Sequence, residues 1–275
     1  MRFVRIISAF FFPLCFYLSS APDLLAQAPS IDEQVIFPIA VDLLRSDVPI
    51  HRTLYGFLNL GPGEFQPRMQ FFSSNGGNFL STGASAVPVN GMVEFPRELD
   101  IVVLEHNGWA RTAVPAGQRV LVWASISTFQ FRPGGVFEQE LTGTTRLDAV
   151  RPARRFRAPF FNASEFRRRT FGYIAPNGGA ELRRTAYAVV NASADQPALI
   201  RVDALDRQGK PLCSTSLTIL PLARRNFYIP DFFPNCDPGS EGSVLFDSNT
   251  PIAVGAVDVF FPEGKFLGVP VVAEP

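Results

Sequence analysis

Seven arginines fall between residues 151 and 169, in RPARRFR and RRR, with Glu165 as the one acid among them. Arginine offers a planar fork of donors that fits carboxylate, sulfate or phosphate two bonds at a time. Phe156, Phe160, Phe161 and Phe166 are interleaved with the arginines, and aromatic faces stack on a guanidinium or on a ligand. Arg154, Arg155, Arg157, Arg167, Arg168 and Arg169 are therefore the candidate anion-binding residues. Acidic polysaccharide or another envelope protein is the kind of partner such a surface suits. The plainer reading is a solvated linker and loop that also pairs with the more acidic first half. Residues 27–146 hold 8 basic and 11 acidic side chains, against 15 and 13 in residues 148–275.

Carboxylates form the second group. Two acids about 5–10 Å apart can run glycoside hydrolysis. Glu98, Asp100 and Glu105 cluster in RELDIVVLEHNG, and Asp247, Asp258 and Glu263 are the candidates further on. Neither set returns at matched positions in the other half, and the plainer reading is solvated strand edges and turns. Other chemistry is sparse. The two histidines, His51 and His106, show no metal-ligand spacing. No Gly-x-Ser-x-Gly nucleophile elbow is present, and the glycine-rich pieces GPGEF, NGG and PNGG lead into no helix that would cradle phosphate. The sequence thus predicts no catalytic, cofactor-binding or metal-binding residues, with a carboxylate-dependent glycosidase as the enzymatic alternative. A carbohydrate-binding role would use Trp109, which follows Asn-Gly and reads as exposed; Trp123, mid-strand, reads as core. Net charge is zero, so no general pull toward nucleic acid is indicated.

Residues 1–26 read as a signal peptide. Arg2 and Arg5 precede an apolar stretch from Ile6 to Leu18, and small residues follow, with cleavage expected after Ala26. The apolar stretch of about 13 residues falls short of the roughly 20 that a helical span needs. The predicted location is therefore secreted, periplasmic or cell-surface. Removing the signal removes Cys15 and leaves Cys213 and Cys236, which are expected to pair in an exported chain.

The elements that must position these residues are strands, and they come twice. RTLYGFLNLG (52–61) returns as RTAYAVVNAS (184–193), matching Thr53, Tyr55 and Asn59 with Thr185, Tyr187 and Asn191. RMQFFSSNGGNF, VPVNGMVEFP, RVLVWAS and GVFEQELTG find counterparts in the same order in RVDALDRQGKPL, LPLARRNFYIP, PIAVGAV and GKFLGVPVV. Similar segments in one order are the mark of internal duplication. Short apolar and β-branched runs separated by Gly, Pro, Asn and Asp read as strands, and SSNGGN and DRQGKP as hairpin turns. No helix is expected outside the signal. The fold class is all-β: two tandem homologous β-sandwich modules of about seven strands each, at 33–147 and 154–275, with a linker at 148–153. Tyr55 and Phe57 should pack inward, and Asn59 should hydrogen-bond the turn that follows its strand.

LYGFLNLG, QFFSSNGG, VPVNG and GWARTAV together resemble a repeated module of secreted, mostly uncharacterised proteins of soil bacteria such as acidobacteria. The likeness covers the first module well and the second loosely, where GSVLFDS replaces GWARTAV and the Trp is absent. It implies a β-sandwich outside the cytoplasm and transfers no catalytic residue. The function expected is that of an exported, non-catalytic structural or interaction protein of the cell envelope or extracellular space.

Overall fold

The computed structural model describes residues 33–42, 50–83, 85–95, 106–131, 139–166, 181–233, 235–261 and 265–275. The expected signal peptide, Arg167–Arg169, Glu98, Asp100, Glu105 and Glu263 lie outside them. The chain is all-β with antiparallel sheets. The first half holds β1 (Glu33–Asp42), β2 (Ile50–Asn59), β3 (Arg68–Ser73), β4 (Asn78–Gly83), β5 (Met92–Phe95), β6 (His106–Val114), β7 (Val120–Phe131) and β8 (Gln139–Asp148). The second holds β9 (Ala153–Phe166), β10 (Glu181–Asn191), β11 (Ala198–Leu205), β12 (Pro211–Ile219), β13 (Arg224–Tyr228), β14 (Glu241–Phe261), β15 (Lys265–Val269) and β16 (Val272–Glu274). One turn of helix that the sequence did not predict, α1 (Ile229–Phe232), follows β13, with Pro230 in its first turn, where a missing N–H costs nothing.

The first half forms two four-stranded sheets, in the orders β1-β6-β3-β4 and β5-β2-β7-β8. They face each other across one core. Phe37 and Phe71 from the first sheet meet the Tyr55 ring of the second edge-on, at 4.8 and 5.6 Å between centroids. The second half is one eight-stranded sheet, in the order β12-β11-β14-β10-β9-β16, built around β14. The beginning of β14 pairs β9 and β11, and its end pairs β10 and β15. β12 then adds to β11, and β13 to β10. β9 also pairs with β10 and with β16, and β14 takes pairings like those of both β6 and β7 in the first half. The turn around Gly117, which separates β6 from β7, is replaced by a register break between Asp247 and Ile252 that contains Pro251. Prolines sit comfortably at such breaks, where no ladder hydrogen bond is asked of them. Pro38 occupies the corresponding kind of position, the bulge between Phe37 and Ala40 of β1.

Tyr55 and Phe57 are buried, as the alternation of β2 predicts, and so is Tyr187, whose hydroxyl donates to Pro159 O at 2.6 Å. The hairpins at SSNGGN and DRQGKP turn on Gly76 and Gly209, at φ +91° and +80°, a region that glycine enters without steric cost. The expected Cys213–Cys236 disulfide is present, with Cα atoms 5.9 Å apart. It ties β12 to the segment after α1.

The halves pack against each other along a seam with an apolar cluster at its centre. Ile36, Phe72 and Trp109 of the first half pack on Val190 and Ala253 of the second. The 148–153 segment takes part in this frame: Val150 pairs with Ile36 through two backbone hydrogen bonds of 2.7 and 2.8 Å. At Gly255 an added Cβ would lie 3.0 Å from Pro38 Cβ, so β1 rests directly on the backbone of β14.

Candidate functional site

The structure reverses the two tryptophans. Trp109 lies on the inward-facing side of the seam and is fully buried. Its ring stacks on Phe72 at 4.1 Å, nearly parallel, and its Nε1 donates to Leu222 O at 2.9 Å. It cannot stack on a glycan. Trp123, expected in the core, instead lies on the outer face of the β5-β2-β7-β8 sheet. Parity explains this: Ala124 pairs with Tyr55 and faces inward with it, so Trp123, paired with Gly56, must face outward. A Cβ at Gly56 would come within 2.0 Å of Trp123 Cε2, so the indole lies flat across the bare backbone of β2. The Arg146 guanidinium sits 5.1 Å from its centroid on the other side.

Of the candidate anion-binding arginines, three fall among the described residues, and two of these are engaged. Arg157 and Arg155 both pair with Glu274, the latter at 3.3 Å, which clips β16 to β9. The hydrogen bond from Arg157 holds the Glu274 carboxyl below its ordinary range. Arg154 is exposed. Nearby, Arg151 pairs with Glu33 of the first half, in keeping with the plainer reading of the cluster.

Of the candidate acids, Asp247 and Asp258 fall among the described residues, and they are not gathered into a cleft. Asp258 is buried and fully engaged: Thr185 Oγ1 donates to it at 2.6 Å and Arg183 Nε at 2.9 Å. Arg183 lies in turn 3.6 Å over the Phe161 ring. Asp247 is exposed on the opposite stretch of β14. Among the described residues no cluster of His, Cys, Asp and Glu has metal-binding geometry.

Two features remain that sequence reading missed. The first is a free sheet face. Leu58 is flanked in register by Met92 and Leu121, which are 61% and 52% exposed. Leu60 and Val89, just after β2 and just before β5, are exposed as well. The counterparts of Met92, Leu58 and Leu121 are Arg224, Val190 and Ala253, in the same mutual register. Those three are buried beneath the first half. One sheet face is thus used as an interface in the second half and left open in the first.

The second feature is a cavity of about 510 Å³ between the halves. β10, β13, α1 and the end of β14 form one wall; His51, Ile39 and Asn107 of the first half, with Phe266 of β15, form the other. Phe227 stacks on Phe232 at 4.1 Å, and Phe266 meets the His51 ring edge-on at 4.7 Å. Burial lowers the His51 pKa below its ordinary 6.5. Arg224 is 5% exposed. Its guanidinium donates to Gly108 O, to Asn107 Oδ1, to Ser74 Oγ at 3.2 Å and to Pro38 O at 3.3 Å. Burial pushes its pKa down to about 10, against an opposing influence from Tyr55, so it carries its charge at neutral pH. Arg224 stands beside Val190 in register as Met92 stands beside Leu58, a pairing that the sequence alone does not reveal.

No family model matches the chain, and no curated protein matches it.

Proposed function

We propose that the chain is an exported, non-catalytic interaction protein of the cell envelope or extracellular space, built from two tandem copies of one β-sandwich module. The repeated strand order and the repeated register at Leu58 and Val190 support the duplication, as does the resemblance of its motifs to tandem modules of secreted bacterial proteins. The disulfide fits an oxidising compartment. The observation that carries the interaction reading is the face used twice. In the second module it is covered by a neighbouring module, and in the first it presents Met92 and Leu121 to solvent. Contiguous exposed apolar residues on a sheet mark a docking surface, and the matching positions of the second half lie under Ile36, Phe72 and Trp109 of the first. The partner of this reading is an envelope protein that presents an apolar sheet face of the kind formed by Ile36, Phe72 and Trp109. A Met92→Glu, Leu121→Glu double variant tests this. The purified mature chain should cosediment with washed cell envelopes of its source organism. The variant should stay in the supernatant, with unfolding free energy changed by less than about 1 kcal/mol, as expected for exposed positions. Equal cosedimentation would overturn the reading.

A glycan is the second reading, favoured by Trp123 lying flat on the same face, with Glu94 and Asp148 paired to either side of the Gly56–Trp123 position. A glycan array showing binding that Trp123→Ala abolishes would support it, and a flat response across neutral and acidic glycans would remove it.

A further inference from the structure

The cavity between the halves has the size and composition of a small-molecule site. Ligand pockets run about 300–1,000 Å³, are mostly apolar and favour boundaries between folded units. This one, at about 510 Å³, is walled by Phe227, Phe232 and Phe266. Its charge is unusual. Arg224 is buried, lines the cavity and has no carboxylate partner among the described residues. All four of its acceptors are neutral: two backbone carbonyls, an amide oxygen and a hydroxyl. Its Nε makes no hydrogen bond among the described residues. Burying a charge without a counter-charge is costly, and an aromatic-walled cavity beside it offers a place for one. The other charged groups lining the cavity are Arg225 and Asp231, and His51 is held neutral at pH 7. Two arginines against one aspartate leave a single positive charge, which matches a monoanion better than a dianion such as phosphate.

We propose that this cavity binds a small amphiphilic carboxylate, its head group against the Arg224 guanidinium and its apolar body among Phe227, Phe232 and Phe266. The proposal is independent of the Met92–Leu121 docking face, which lies on the first module's own sheet.

Titration calorimetry of the full mature chain at low salt tests it, with octanoate and 1-octanol as probes. Octanoate should bind with one-to-one stoichiometry and at least tenfold more tightly than the alcohol. Arg224→Gln should bring octanoate down to the alcohol's affinity. Because Arg224 also holds the seam, Ala186→Phe gives a second arm. It narrows the cavity from the β10 wall and leaves the Arg224 hydrogen bonds in place, and it should weaken both probes at least tenfold. The proposal is overturned by any of three results: no saturable heat with octanoate, equal affinity for octanoate and octanol, or unchanged binding in Ala186→Phe. The Met92→Glu, Leu121→Glu variant should bind octanoate like the wild type, which separates failure at this site from failure of the docking face.

Discussion

Asn59 and Asn191, 132 positions apart, share one pattern of hydrogen bonds, to which Asn191 Nδ2 adds one to Leu220 O at 3.2 Å. Asn59 Nδ2 donates to Gly63 O at 2.7 Å and to Val87 O at 3.0 Å; Asn191 Nδ2 donates to Gln196 O at 2.8 Å and to Ile219 O at 3.1 Å. Each Oδ1 accepts the N–H two residues on, at 3.0 Å. Each backbone N–H donates at 3.0 Å into the turn before β5 or β13, to Gly91 O and Ala223 O. The residue before each of those acceptors is left-handed, Asn90 at φ 59° and Leu222 at φ 56°.

Both side chains are fully buried, so replacing either by alanine strands the carbonyls and N–H groups they satisfy. Asn59→Ala and Asn191→Ala should each cost about 2–4 kcal/mol in urea unfolding. Aspartate should be no better, since it offers oxygen where Nδ2 donates. A loss below about 0.5 kcal/mol in both variants would show that the repeated asparagines do not hold the fold.

Trp123 depends on the absence of a side chain at Gly56. The two are partners in the β2–β7 register, and an added methyl would fall 2.0 Å from the indole. Gly56→Ala should therefore lift Trp123 from the sheet, costing about 1–3 kcal/mol as overpacking does. Trp109 is fully buried, so a red shift in tryptophan emission would report Trp123. In a Trp123→Ala background the glycine substitution should become nearly neutral. Additive costs in that double-mutant cycle would disprove the contact.

These cases show what was legible in the sequence. Strand content, the inward Tyr55 and the disulfide all follow from period, spacing and cysteine arithmetic, which are local properties. The tryptophans mislead because the sequence displays only their chain neighbours: Asn-Gly before Trp109, mid-strand position for Trp123. What decides their burial is which sheet face meets the other half of the chain. Parity within β7, once tied to Tyr55 through Ala124, would have placed Trp123 outside. Nothing local could have placed Trp109, since its cover comes from Leu222, Val190 and Ala253. The seam cavity is invisible for the same reason: its walls are drawn from both halves of the chain, from β1, β2 and β6 to β10, β13, α1, β14 and β15.

Cys213 and Cys236 close a loop with a sequence separation of 23. In the chain-entropy account a bond of this span stabilises by roughly 3 kcal/mol. A Cys213→Ser, Cys236→Ser variant should unfold at correspondingly lower urea concentration, and wild type under dithiothreitol should match it. Cys213 is buried in the second half's core, so the loss belongs to that half. The first half's Trp123 environment should be unchanged in native buffer. Identical midpoints for oxidised and reduced protein would refute the expected stabilisation.

His51 should make stability fall on mild acidification. Burial in the seam cavity against Phe266 lowers its pKa from 6.5, so the folded chain holds fewer protons on this ring than the unfolded chain below that pH. Stability then rises with pH across the interval between the two values. The contribution is complete above about pH 6.5 and is lost as pH drops toward the lower, folded value. Melting temperatures measured from pH 7.5 to pH 5 should decline more steeply in wild type than in His51→Gln, which cannot titrate. The carboxylates that dominate acid unfolding act mainly at lower pH and are shared by both proteins, so the difference between the curves isolates this ring. Parallel curves would mean that the imidazole is accommodated equally well in both protonation states, and that the wall it forms with Phe266 is open to water.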